Sequence, residues 1–172
     1  MTDICLRTCA DPRVTLTLRA IEDAILAQYE EFPYTQRDFG AELGLAPEDS
    51  RDGTPAALLR VMRPALKAPL RAYILIGHMG PACGPGCAAY EDAYEGRLPI
   101  PIKPGLEREL HWRNLLNARE LLERAARGYG RQLKVIMLID HHGYLEFVTN
   151  AQHAPEDVRT IEIDEVLNLI AE

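Results

Sequence analysis

The sequence predicts an α/β fold, a mostly parallel sheet flanked by helices in a single domain spanning residues 1–172. Three observations point there. Two apolar runs of strand length, Ala72-Tyr73-Ile74-Leu75-Ile76 and Lys134-Val135-Ile136-Met137-Leu138-Ile139, are continuous rather than alternating, as strands covered on both faces are. Segments with apolar residues at helical spacing lie between the strand-like runs, and such alternation argues for parallel pairs. A chain of 172 residues is also long enough to bury one full hydrophobic core.

The elements follow in order. Ile4 to Thr8 mixes β-branched and apolar residues and is interrupted at Asp11-Pro12, so a strand is expected whose carboxyl end carries Cys9. From Thr15 to about Glu31, Leu18, Ile21, Ala24, Ile25 and Tyr29 recur at helical spacing, and Pro33 ends the pattern. Residues 33–53, rich in Gly, Pro, Asp and Ser, read as an irregular connector. Thr54-Pro55 offers an N-cap and an N1 proline for a second helix stopping near Pro64. The run 72–76 then delivers Gly77-His78 to a loop from Met79 to Gly86, after which Cys87 to Ala93 favours helix. A proline-rich stretch, Pro99 to Pro104, precedes a long helix from Leu106 to Arg127, with Leu115, Ala118, Leu122 and Ala125 on one face and Gly128 and Gly130 closing it. Lys134 to Ile139 and Tyr144 to Thr149 predict two strands of a hairpin, and the tail from Asp164 predicts a short helix capped by that residue.

Composition excludes several classes. Apolar and charged fractions of 47% and 26% are those of an ordinary globular protein. No apolar run approaches the ~20 residues of a membrane span. The amino terminus shows no basic segment followed by an apolar one, so a cytoplasmic, reducing location is expected. Four unevenly spaced cysteines then read as metal ligands or core residues rather than as disulfides. A formal charge of −7 without a basic cluster excludes nucleic acid as an expected partner.

Cys9-Ala10-Asp11-Pro12-Arg13 sets a thiol, a carboxylate and a guanidinium at alternating positions beyond the first strand, and an extended chain would turn all three to one side. His78 ends another strand, and the loop beyond it offers Cys83 and Cys87. Two thiolates and an imidazole are a common zinc set, and three protein ligands leave the fourth tetrahedral position open for water. One zinc ion per chain is the expected cofactor.

Cys9-x-Asp11-x-Arg13 resembles the Cys-x-Asp-Ser-Arg motif of β-class carbonic anhydrases, and Ile74-Leu75-Ile76-Gly77-His78 followed by Cys83-Gly84 is similar to their apolar strand ending in Gly-His-x-x-Cys-Gly. Asp140 to Val148 resembles the late hairpin of that fold. The resemblance covers scattered pieces of the chain. It implies a β-carbonic-anhydrase-like sheet, a homo-oligomer (dimer or higher), and zinc-dependent reversible hydration of CO2 to bicarbonate by a metal-bound hydroxide. Carried over, Cys9, His78 and one of Cys83 and Cys87 bind zinc, while Asp11 and Arg13 form the catalytic dyad. Elementary chemistry suits those roles: two thiolates weaken the acidifying effect of zinc on its water, a carboxylate can orient the hydroxide, and an arginine can keep that carboxylate ionised and off the metal. Cys83 is the favoured third ligand because it keeps the Cys-Gly pair, whereas Cys87 stands where a helix amino terminus could stabilise its thiolate.

The sequence departs from the family in three places. Pro12 replaces the serine, four residues rather than two separate His78 from Cys83, and the family's Arg-Asn-Ala-Gly-Asn segment is missing. Two alternatives therefore stand beside CO2 hydration: a noncatalytic zinc-binding relative in which Cys9, His78, Cys83 and Cys87 close the site, and a hydrolase of carbonyl sulfide or carbon disulfide. Asp140-His141-His142 also resembles the signature of a manganese phosphoesterase superfamily. That family's upstream Asp-x-Asp is missing here. Simpler readings accompany the others: Cys5 as a small buried hydrophobe, Asp11 and Arg13 as a surface ion pair, and His111 as a solvated helix residue.

Overall fold

The computed structural model describes residues 3–9, 12–38, 69–80, 104–149 and 157–172. Among these the chain forms β1 (Ile4–Cys9), a 3-10 turn (Pro12–Val14), α1 (Thr15–Tyr29), β2 (Tyr34–Asp38), β3 (Ala72–His78), α2 (Pro104–Gly128), β4 (Val135–Asp140), β5 (Leu145–Val148), β6 (Thr160–Ile161) and α3 (Ile163–Ala171). The strands make one sheet in the order β2-β1-β3-β4-β5-β6. β2, β1, β3 and β4 are mutually parallel, and β5 and β6 continue the sheet antiparallel. The fold is α/β with a mixed sheet, and β4 and β5 make the expected hairpin. The helices expected from Thr54 and from Cys87 lie outside the described residues.

Side-chain alternation divides the core in two. Ile4 and Leu6 of β1, Ile74 and Ile76 of β3 and Ile136 and Leu138 of β4 pack against Leu18, Ile21 and Ile25 of α1 and Val166 and Ile170 of α3. The opposite face sets Cys5, Tyr73, Leu75, Met137 and Ile139 against Leu115, Ala118 and Leu122 of α2. β1 and β3 are buried at every position, which accounts for the continuous apolar run Ala72 to Ile76 of β3, whereas β1 also buries the polar Arg7 and Thr8. No helix among the described residues is long and apolar enough to cross a membrane.

Four expectations are corrected. The segment read as a connector contains β2, a parallel neighbour of β1 in the register Cys5↔Tyr34 to Cys9↔Asp38. It is an edge strand that needs little apolar character, because it docks on α1 through Thr35 Oγ1 donating to Glu22 Oε1 (2.6 Å) and Arg37 Nη2 donating to Thr15 Oγ1 (3.0 Å). The last helix is capped by Glu162 rather than Asp164, with the Glu165 carboxylate accepting from the Glu162 N–H at 3.0 Å to close a capping box. The extended geometry expected from Cys9 to Arg13 stops before Arg13, which sits half-buried in the 3-10 turn; proline's fixed φ opens a helical turn as readily as it extends a chain. His111 is not solvated but 1% exposed. It lies one helical turn before Leu115, so the apolar stripe of α2 that faces the sheet carries it inward.

Candidate metal centre

The chain passes from β1 to β2 on one side and then from β2 across to β3 on the other side of β1, so the crevice outside the carboxyl ends of β1 and β3 is a topological switch point. Ligands of open α/β sheets bind in such crevices. Cys9 is the last residue of β1 and His78 the last of β3, and the register Thr8↔Ile76 places them one rung apart at its mouth. Both are buried. Arg13 follows in the 3-10 turn, whereas Asp11, Cys83 and Cys87 lie outside the described residues. No three His, Cys, Asp or Glu among the described residues group as a metal site, so the candidate set needs its third ligand from Cys83 or Cys87.

The tautomer of His78 suits a ligand. Its Nδ1 lies 3.2 Å from the Met79 carbonyl oxygen, which only accepts, so the proton sits on Nδ1 and the lone pair of the neutral ring on Nε2. Metal-bound histidines are commonly oriented by such a bond to a carbonyl. The same carbonyl accepts from His142 Nε2 at 2.6 Å, with the two rings edge to face and their centroids 6.0 Å apart. His142 reaches it from a left-handed backbone conformation, φ 60°, steadied by its N–H donating to Asp140 Oδ1 at 2.8 Å. Met79 N–H donates to the Asp140 carbonyl at 2.9 Å, and Gly80 N–H donates to both carboxylate oxygens of Glu107 at 3.0 and 3.1 Å. Oδ2 of Asp140 is buried with no hydrogen-bond partner among the described residues.

The amino-terminal turns of α2 complete a buried polar layer beside the crevice. Glu107 is 2% exposed and faces His111 Nε2 at 3.9 Å, and the His111 ring is centred 6.5 Å from that of His78. Arg108 makes a bidentate pair with Glu146 of β5, whose Oε2 also lies 2.9 Å from His141 Nε2. Burial alone would raise the Glu146 carboxyl; hydrogen bonds from His141 and Arg108, and their charges, outweigh it and hold the group below its ordinary value. His141 stacks on Tyr144 at 4.4 Å. Asp140, His141 and His142 thus send their side chains to three different partners.

Cys5 is the buried hydrophobe its position suggested. Burial pushes its thiol up to about 12 despite a hydrogen bond with Tyr73 and the charge of Arg7, so it is held as an unreactive thiol. Sequence reasoning missed Glu107, Arg108, His142 and Glu146 as parts of this layer. For the two α2 residues a signal was present: the stripe through Leu115 and His111 extends back one turn to Glu107 and its neighbour Arg108. No protein-family model, curated protein or solved structure matches the chain.

Proposed function

We propose that this chain is a zinc-dependent enzyme, similar to the β-class carbonic anhydrases, that reversibly hydrates CO2 to bicarbonate. The observation that carries the reading is the placement of Cys9 and His78 at the carboxyl ends of neighbouring parallel strands, with the His78 lone pair on Nε2. A thiol and an imidazole are zinc ligand types, and Cys83 or Cys87 would supply the third ligand. Bound zinc supplies the Lewis acidity that makes water a nucleophile near neutral pH.

The remaining work belongs to side chains. Cys9 sheds its proton on ligation, so metal uptake weakens as pH falls. Asp11 would accept a hydrogen bond from the water-derived nucleophile and so orient it toward the carbon of CO2. Arg13, in the 3-10 turn that follows β1, would pair with that carboxylate and keep it ionised.

Metal analysis combined with stopped-flow CO2 hydration tests the reading. About one zinc per chain together with hydration supports it. Full zinc without hydration from about pH 7 to 9 would favour the noncatalytic relative, or an enzyme for carbonyl sulfide or carbon disulfide. A chain that takes up no zinc overturns the reading. Single Cys83→Ser and Cys87→Ser variants identify the third ligand, and loss of metal in both supports a closed four-ligand site.

A further inference from the structure

The peptide bond between Met79 and Gly80 is gripped at both polar ends by side chains from other elements. Its carbonyl accepts from His78 Nδ1 at 3.2 Å and His142 Nε2 at 2.6 Å. Its N–H donates to both oxygens of Glu107. His142 comes from the β4–β5 turn and Glu107 from the first turns of α2, so two elements distant in sequence orient a single peptide plane directly after His78. Turning that plane over would set its carbonyl against the buried Glu107 carboxylate, two acceptors with no proton between them. It would also aim the N–H at two imidazoles that now donate. Burying such groups unsatisfied is costly, so the observed orientation is strongly favoured.

The orientation matters because free histidine favours its proton on Nε2. A fixed acceptor at Nδ1 reverses that preference and frees the Nε2 lone pair. We infer that Glu107 and His142 are positioning residues for His78: by locking the Met79–Gly80 plane they hold the His78 proton on Nδ1 and present Nε2 as the ligating nitrogen. The purpose of this lock rests on the zinc reading above, but its geometry does not.

Two measurements test it. Ring nitrogen NMR of the metal-free chain, at a pH where the histidines are neutral, should show His78 protonated on Nδ1 in the wild type. His142→Ala and Glu107→Ala should shift it toward the Nε2-protonated form, and His142→Gln, which restores an N–H donor, should recover the wild-type signal. Glu107→Gln keeps one acceptor for Gly80 and serves if Glu107→Ala does not fold; it should give an intermediate tautomer ratio. Zinc affinity by chelator competition should fall about 10–100-fold in the alanine variants and return toward wild type in His142→Gln. An unchanged tautomer in both alanine variants overturns the inference, as does unchanged zinc affinity in a chain that binds the metal. If the wild type binds no zinc while the tautomer still follows Glu107 and His142, the metal reading fails and the positioning of His78 stands.

Discussion

Arg108 and Glu146 form a bidentate ion pair that joins α2 to β5, with Nε donating to Oε2 at 2.8 Å and Nη2 donating to Oε1. The carboxylate is fully buried and the guanidinium side chain 10% exposed. Removing one partner strands the other charge in a dry environment, so Glu146→Ala should cost about 3–5 kcal/mol of stability. Replacing both together, as Arg108→Met with Glu146→Leu, should cost less than the single change. Denaturant unfolding of the three variants checks this, and equal losses in single and double variants would contradict it.

The same pair predicts an acid limb of stability. Glu146 titrates lower in the folded chain than in the unfolded one, so its contribution is present above the unfolded carboxylate value of about 4.3 and is lost as pH falls through the lowered folded value. Unfolding free energy should therefore drop below about pH 4, and Glu146→Gln, though less stable at neutral pH, should show a shallower drop. Urea titrations across the acid range give both slopes.

Cys5 and Cys9 share one strand and one sheet face, yet they should behave differently. Cys9→Ala and His78→Ala should empty the proposed zinc site, whereas Cys5→Ala should keep its metal. With its thiol raised to about 12, Cys5 should resist alkylation at pH values near 8 until the chain is unfolded. Mass spectrometry of labelled protein reads this directly, and rapid labelling of Cys5 in the folded state would contradict the burial assigned to it.

For the proposed chemistry, Arg13→Ala and Asp11→Asn should both retain zinc while losing hydration activity. The loss expected for Asp11→Asn is about 2–4 kcal/mol in the barrier, on the order of 30- to 1,000-fold in rate, by analogy with deleting one preorganised electrostatic contact. Wild-type rates in either variant would make the dyad structural and remove the main support for CO2 hydration.

His111 gives the sharpest test of the α2 orientation. At a solvated position His111→Lys would change stability by less than about 0.5 kcal/mol. In the buried setting beside His78 and Glu107 it inserts a long, poorly solvated side chain, and thermal unfolding should register a loss of about 2 kcal/mol or more. A neutral result would place the α2 stripe elsewhere.

The sequence by itself determined the elements that carry their own burial. β3 and β4 are legible because strands covered on both faces are largely continuous apolar runs, β1 because its β-branched and apolar residues stop at a proline, and α1 and α2 because one face of each repeats at helical spacing. Cys9 and His78 were placed at strand ends for the same reason. The edge strand β2 escaped notice because it has a sheet neighbour on one side only and anchors itself to α1 through Thr35 and Arg37. The turn at Pro12 escaped because proline's φ suits an extended chain and a helical turn alike. Only the tertiary structure decided the polar layer. Glu107 meets Gly80 across 27 positions, Arg108 meets Glu146 across 38, and His142 meets Met79 across 63. Hydrogen bonds over such separations leave no local periodicity to read; they exist because the fold brings the carboxyl ends of β3 and β4, the start of β5 and the first turns of α2 together, where buried polar groups must find partners or destabilise the fold.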